Sequence, residues 1–194
     1  MSRGYYYHNV GTYPGKKRDR WLHIDKKMIA TYQCEKSKHQ RVRMKKQGEA
    51  RIMFLRWENV RVLLHTDGVL PPGLPCADFR DIRESYAEIP VSDGIVFFVY
   101  IDHKTGRATA RLTRKSYLAI KMEIEEMCRT GKAYEVISKV ELLNGLPRSH
   151  GVNEQKVNLA KLAVKWGKRA KQRIKYSDIK IQMRKKTVNV FVKM

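Results

Sequence analysis

The chain has 194 residues, 42% of them apolar, and carries 41 Lys and Arg against 19 Asp and Glu, a formal net charge of +22. The apolar fraction suffices for a packed core and excludes a low-complexity disordered chain. A charge this unbalanced opposes compaction by self-repulsion and points to a polyanionic partner: nucleic acid first, then an anionic membrane or an acidic protein.

Residues 1–16 include Gly4, Gly11, Pro14 and Gly15 and are predicted to form an irregular leader. Tyr5, Tyr6 and Tyr7 lie between Arg3 and His8, ahead of any predicted core element, and are the candidates for stacking on unpaired bases. The competing reading packs these three amphipathic rings back on the fold. From Lys17 the pattern turns helical. Trp21, Ile24, Met28 and Tyr32 recur at helical spacing, and Leu22 and Ile29 widen the stripe. Past Cys34 the stripe fades into "KHQRVRMKKQ", so a long N-terminal helix over 17–49 is expected to be half docked and half solvated. Lys16, Lys17 and Arg18, and then Lys38, Arg41, Arg43, Lys45 and Lys46, are assigned to phosphate contact, which positions a partner without reading its sequence.

"ARIMFLRWENVRVLLHTDG" (50–68) reads as two strands around a turn at Glu58-Asn59. "VLPPGLPC" is a loop and "ADFRDIRESY" a short helix. A strand over 87–91, a turn at 92–94, the strand "IVFFVYID", the turn "HKTG" and the strand "RATARL" follow. Thr113 or Ser116 caps a helix that stops at Gly131, and a second helix stops at Gly145. Asn153 is expected to cap the last helix, which holds "NLAKLAVKWGKRAKQRIKY" (158–176), a stretch with seven basic residues and no acid. Leu159, Leu162, Ala163, Trp166 and Ala170 share one face of it, and Lys161, Lys165, Lys168, Arg169, Lys171 and Arg173 lie on its other flanks or just beyond. A terminal hairpin, "IKIQM" and "TVNVFVK" joined by Arg184, Lys185 and Lys186, completes an α+β fold in which antiparallel hairpins interleave with helices. Residues 17–194 are read as one compact domain.

The charge is segregated. Residues 1–50 hold thirteen basic and four acidic residues, 51–146 hold fourteen and thirteen, and 147–194 hold fourteen and two. Two basic arms around a neutral centre have the form of a binding footprint. Like charges at i,i+4 cost a helix a few tenths of a kcal/mol each, a repulsion that phosphates relieve. The Lys and Arg residues named in the arms, Arg184, Lys185 and Lys186 among them, are therefore the candidate nucleic-acid contacts. RNA is favoured over DNA because the arms hold no helix-turn-helix signal. A ribonucleoprotein component or a factor of a phage or other mobile element fits this description, and the neutral middle is free to hold a protein partner.

Catalytic signals are weak. Asp93 and Asp102 end a strand about 30 Å long and cannot share a metal. Asp67 can meet one of them only if the fold brings them together, and a metal-dependent nuclease or replication enzyme is the competing class. Asp78, Asp81 and Glu84 read as an acidic helical turn. The six histidines are isolated, so no metal site, cofactor or catalytic residue is assigned. The three cysteines, Cys34, Cys76 and Cys128, are odd in number and far apart, as expected of free thiols in the cytoplasm. The longest apolar run, Gly94 to Ile101, is far short of the roughly 20 residues of a membrane helix.

Overall fold

A computed structural model of the chain describes residues 4–75 and 77–183. It is an α+β fold with two antiparallel sheets and, among the described residues, five α-helices. The chain divides into two compact units, the first ending at Thr109 and the second starting at Ala110.

The first unit is built on a four-stranded sheet of order β2-β3-β1-β4. Strands β2 (Ile52–Trp57) and β3 (Val60–Thr66) form the expected hairpin, with Glu58 at φ 48 in the turn. The predicted irregular leader is instead β1 (Tyr5–Thr12), which pairs antiparallel with β3 from Tyr5↔Thr66 to Thr12↔Val60. Of the glycines that suggested a loop, Gly11 lies within this pairing, opposite Arg61. A Cβ on Gly11 would lie 2.8 Å from the Arg61 guanidinium, so glycine lets that side chain cross the strand to reach Asn9 Oδ1 at 2.8 Å. β4 (Arg80–Asp81) replaces the predicted helix over 77–86. Asp81 takes the Arg83 amide on its own carboxylate at 2.8 Å, and such a local turn competes with helix formation.

The predicted long N-terminal helix is three pieces: a 3₁₀ segment (Gly15–Arg20), α1 (Trp21–Thr31) and α2 (Lys38–Lys46). Gln33 turns left-handed at φ 50, and Ser37 and Gln40 form a capping box that starts α2 afresh. The break lets Tyr32 and Met28 pack with Ile52 and Leu63 on one face of the sheet. On the opposite face, Tyr5, Val60, Val62 and Leu64 form a second cluster with Val10, Met53 and Ile89. Ile89 belongs to a second sheet of order β5-β6-β7, made of β5 (Ala87–Ser92), β6 (Ile95–Asp102) and β7 (Arg107–Leu112).

In the second unit α3 (Arg114–Thr130), α4 (Ala133–Leu142) and α5 (His150–Arg169) pack against one another. Ile120, Ile124 and Cys128 of α3 are buried, as are Val136 and Val140 of α4 and Leu159, Ala160 and Ala163 of α5. Thr113 caps α3 as expected, accepting from the Ser116 amide. α5 begins earlier than expected, after Ser149 rather than at Asn153, and Ser149 Oγ donates to Ala110 O at 2.6 Å. At its end Lys171, at φ 58, occupies the left-handed position that closes the helix, with the Gln172 amide reaching back to Gly167 O at 2.8 Å. Gln172 Nε2 in turn donates to Cys128 O and Gly131 O, at 2.8 Å each, capping the end of α3.

"IKIQM" is not a strand. Its backbone bonds the side chains of Glu141 and Asn144 rather than a partner strand. The remainder of the expected hairpin, with Arg184, Lys185 and Lys186, lies outside the described residues.

Candidate nucleic-acid interface

The α2 cations stand on a helix whose apolar content is too low to bury it, and every α2 residue except Met44 is exposed. Its C-terminal end is nonetheless fastened to the sheet. Val69 N donates to Gly48 O and Ala50 N donates to Val69 O, both at 2.9 Å, stitching the α2–β2 junction to the segment after β3. Lys38, Arg41, Val42 and Lys45 recur at helical spacing and so face the same way. Between this face and the sheet lies an open groove of about 840 Å³, lined by Lys38, Arg41, Lys45, Lys46 and Arg51 with Tyr5, Val42 and Met53. Five lining residues are cationic and none is acidic. Four of the five were expected from the charge run. Arg51 was not, because it belongs to the nearly neutral middle segment and joins the site only through its place on the sheet. Arg43 is exposed on α2 but does not line the groove.

Lys16, Lys17 and Arg18 are exposed in the 3₁₀ segment, at the other end of the β2–β3 hairpin. The Tyr13 amide donates to Asn59 O at 2.6 Å, placing the chain beside the hairpin turn just before that segment. Arg18 then lies 5.8 Å from the Trp21 ring centroid, and Arg56 lies 5.7 Å from the same ring. Arg56 is ion-paired to the buried Asp25 at 2.6 Å, and Asp25 also accepts from Tyr13, whose phenol is pushed up to about 12 by burial and then by that bond. Arg56 is thus committed to the fold, while Lys16 and Lys17 point outward with no ion pair among the described residues.

Of the tyrosines expected to stack on bases, Tyr5 is buried and Tyr6 and Tyr7 are half-buried, with their rings in contact with the fold. Tyr5 is 6% exposed, in the core cluster, with the Arg51 guanidinium 5.6 Å from its ring. Tyr7 stacks on His65 at 4.4 Å, with the planes 3° apart, and His65 meets Phe79 edge-on at 4.5 Å. Arg83 lies 4.5 Å from the Tyr6 ring and donates to the Tyr7 hydroxyl at 3.0 Å. The β1–β3 pairing explains this: it brings residues 5–7 over the buried end of β3, which sequence proximity to Arg3 and His8 could not reveal.

Arg83 also answers part of the question of converging acids. It binds Asp81 at 2.6 Å and Asp67 at 2.9 Å, so Asp67 meets Asp81 through a shared guanidinium. The hydrogen bonds from Arg83 hold the Asp81 carboxyl below its ordinary range. Asp93 sits exposed in the β5–β6 turn and Asp102 at the far end of β6. Asp78 and Glu84 do not share a helical face, since no helix forms there. Among the described residues no three His, Cys, Asp or Glu side chains are grouped to hold a metal.

On α5 the second basic surface follows the expected projection. Lys161, Lys165, Lys168 and Arg169 are exposed while Leu159, Ala163 and Gly167 are buried between them, and Lys171 and Arg173 are exposed just past the helix end. Trp166 is half-buried with Lys121 Nζ 6.0 Å from its ring. One α5 cation behaves otherwise. Lys156 is 1% exposed and donates to Leu146 O at 3.2 Å, and burial, with Arg148 nearby, pulls its ammonium below the ordinary lysine range. The described helices include none long and apolar enough to cross a membrane. Burial pushes the half-buried Cys34 thiol up to about 11, and Cys128 is buried and free. No protein-family model matches the chain, and no curated protein or solved structure does either.

Proposed function

We propose that this protein binds nucleic acid by its phosphate backbone, as a ribonucleoprotein component or mobile-element factor, using the α2 groove of the first unit and the exposed flank of α5 in the second. The observation that carries this reading is the groove itself: five cations on two walls and no acidic residue in its lining. Concave, single-sign surfaces concentrate counterions and gain most from exchanging them for phosphates. The α5 flank adds four exposed cations within the helix and two beyond it, again without a neighbouring acid in the stretch.

The test is affinity against salt. With six to ten phosphate contacts, binding of a labelled RNA should weaken about 10³- to 10⁵-fold between 50 and 200 mM salt. Changing Lys38, Arg41, Lys45 and Lys46 together to Gln should lower the log–log slope by about 3, from roughly 0.7–0.9 per phosphate contact removed. An affinity indifferent to salt would sink the reading, and unchanged binding in the fourfold variant would remove the groove from it.

A further inference from the structure

β2 is an edge strand of its sheet, hydrogen-bonded to β3 alone. Its alternation puts Arg51, Met53, Leu55 and Trp57 on one face, shared with the Val60–Leu64 cluster. Met53 lines the cationic groove, and further along the strand the side chains on that face stand open among the described residues: Leu55 is 46% exposed and Trp57 65%. Val42, the apolar residue on the α2 wall, is 51% exposed. An indole and a leucine held open on a rigid strand cost solvation that the fold does not recover. The strip from Arg51 to Trp57 spans about 20 Å. It begins at the groove's cations, and Lys16, Lys17 and Arg18 lie at the hairpin's other end.

From this we infer that the strip is a stacking platform for unpaired bases, so that the groove takes single-stranded nucleic acid, with Trp57 as the principal stacking residue. This rests on the phosphate-binding reading above and narrows it. A duplex presents phosphates outward and keeps its base faces stacked on one another, leaving an exposed indole without use. A single strand offers both, and its binding proteins pair a cationic track with aromatic rings on which successive bases lie. The charge pattern selects this occupant over a second copy of the chain, which would bring another set of cations against the five already there. The tyrosines of β1 are less open than Trp57: Tyr5 is buried, Tyr7 stacks on His65 and Arg83 lies over the Tyr6 ring.

The experiment compares fluorescence anisotropy of a labelled mixed-sequence single strand of about 12 nucleotides with that of a blunt duplex of the same length. Three proteins are used: the wild type, Trp57→Ala, and the Lys38/Arg41/Lys45/Lys46→Gln variant. Trp57 is exposed, so its removal leaves the core intact, and circular dichroism of each variant checks this. The wild type should favour the single strand at least about tenfold. Trp57→Ala should weaken single-strand binding about 5- to 100-fold and leave duplex binding unchanged, while the charge variant should weaken both. If Trp57→Ala binds the single strand like the wild type while the charge variant loses both ligands, the platform is overturned and the phosphate reading stands. If the wild type binds neither ligand, both are overturned. A wild-type dimer that dissociates on Trp57→Ala would assign the strip to a second copy and likewise overturn the inference.

Discussion

Gly68 closes β3 at φ +127, a backbone conformation open to glycine and costly for any residue with a side chain. A Cβ there would lie 2.6 Å from Gly48 O and 2.7 Å from Ala50 N, both backbone atoms that cannot swing aside. These are the atoms of the stitch that holds the end of α2 to the sheet, so one residue couples local strain to the groove. Gly68→Ala should destabilise the first unit by about 3 kcal/mol, from backbone strain plus a contact that only main-chain movement can relieve. Urea unfolding monitored by circular dichroism would measure it, and a loss under 1 kcal/mol would mean the stitch is slack. Gly73 offers the contrast, since its φ is +78 but a Cβ would meet nothing within 4 Å. At this scale the sequence was partly legible. The turn at Asp67-Gly68 was visible, but its close approach to Gly48 depends on a contact between segments 20 residues apart.

Among the elements, β1 departs furthest from what its sequence suggests, and it also makes the first unit sensitive to acid. His8 on β1 is 4% exposed, with Nδ1 unpartnered among the described residues, and His65 on β3 is 6% exposed. Burial lowers both imidazoles below their ordinary value near 6.5; at His8 the Arg80 charge adds to the effect while the Arg80 backbone and Asp81 oppose it, and at His65 the Thr66 backbone, Asp67 and Asp81 oppose it. A lowered folded pKa means that the unfolded chain binds protons first. Above pH 6.5 neither state is protonated and nothing is lost; below it, stability falls until the folded values are reached. The urea midpoint of the first unit should therefore drop between pH 7 and pH 5, and His8→Leu should remove part of that slope; a flat profile in the wild type would contradict the burial argument. The elements that announced themselves did so through local signals: the hairpin turns, the Thr113 cap, the α5 stripe. β1 did not, because three tyrosines among glycines look like a leader until β3 lies beside them. The break between α1 and α2 was written in Ser37 and Gln40, but the run of helix-compatible Lys, Arg and Gln residues beyond it masked the cap. In the candidate site, the α2 lysines and arginines were legible as charge. Arg51 and Trp57 were not, because a segment sum cancels one against neighbouring acids and says nothing about which face the other occupies.

For the whole molecule the governing quantity is a net charge of +22 gathered at the two ends of the sequence. If the excess is kept for a polyanion, it must cost the free protein something, and that cost is measurable without a ligand. On α5 the neighbours Lys161–Lys165, Lys165–Lys168 and Lys165–Arg169 are exposed like-charge pairs at three- and four-residue spacing. At a few tenths of a kcal/mol each, they sum to about 1 kcal/mol of repulsion at low ionic strength. The Debye length shrinks from about 30 Å at 0.01 M salt to about 8 Å at 0.15 M, which weakens repulsion along the helix and suppresses it between more distant rows. The melting temperature of the free protein should accordingly rise by about 2–4 °C over that range, the shift expected of 1 kcal/mol in a chain of this size. Changing Lys161, Lys165, Lys168 and Arg169 to Gln should raise the low-salt value and flatten the dependence. The same salt that stabilises the free protein should weaken its hold on nucleic acid, and the same four substitutions should reduce both effects. Opposite signs in the two experiments, removed together by one set of substitutions, would tie the charge to binding. A melting temperature that falls with salt would show instead that attractive ion pairs dominate the surface, and the basic ends would then need another explanation.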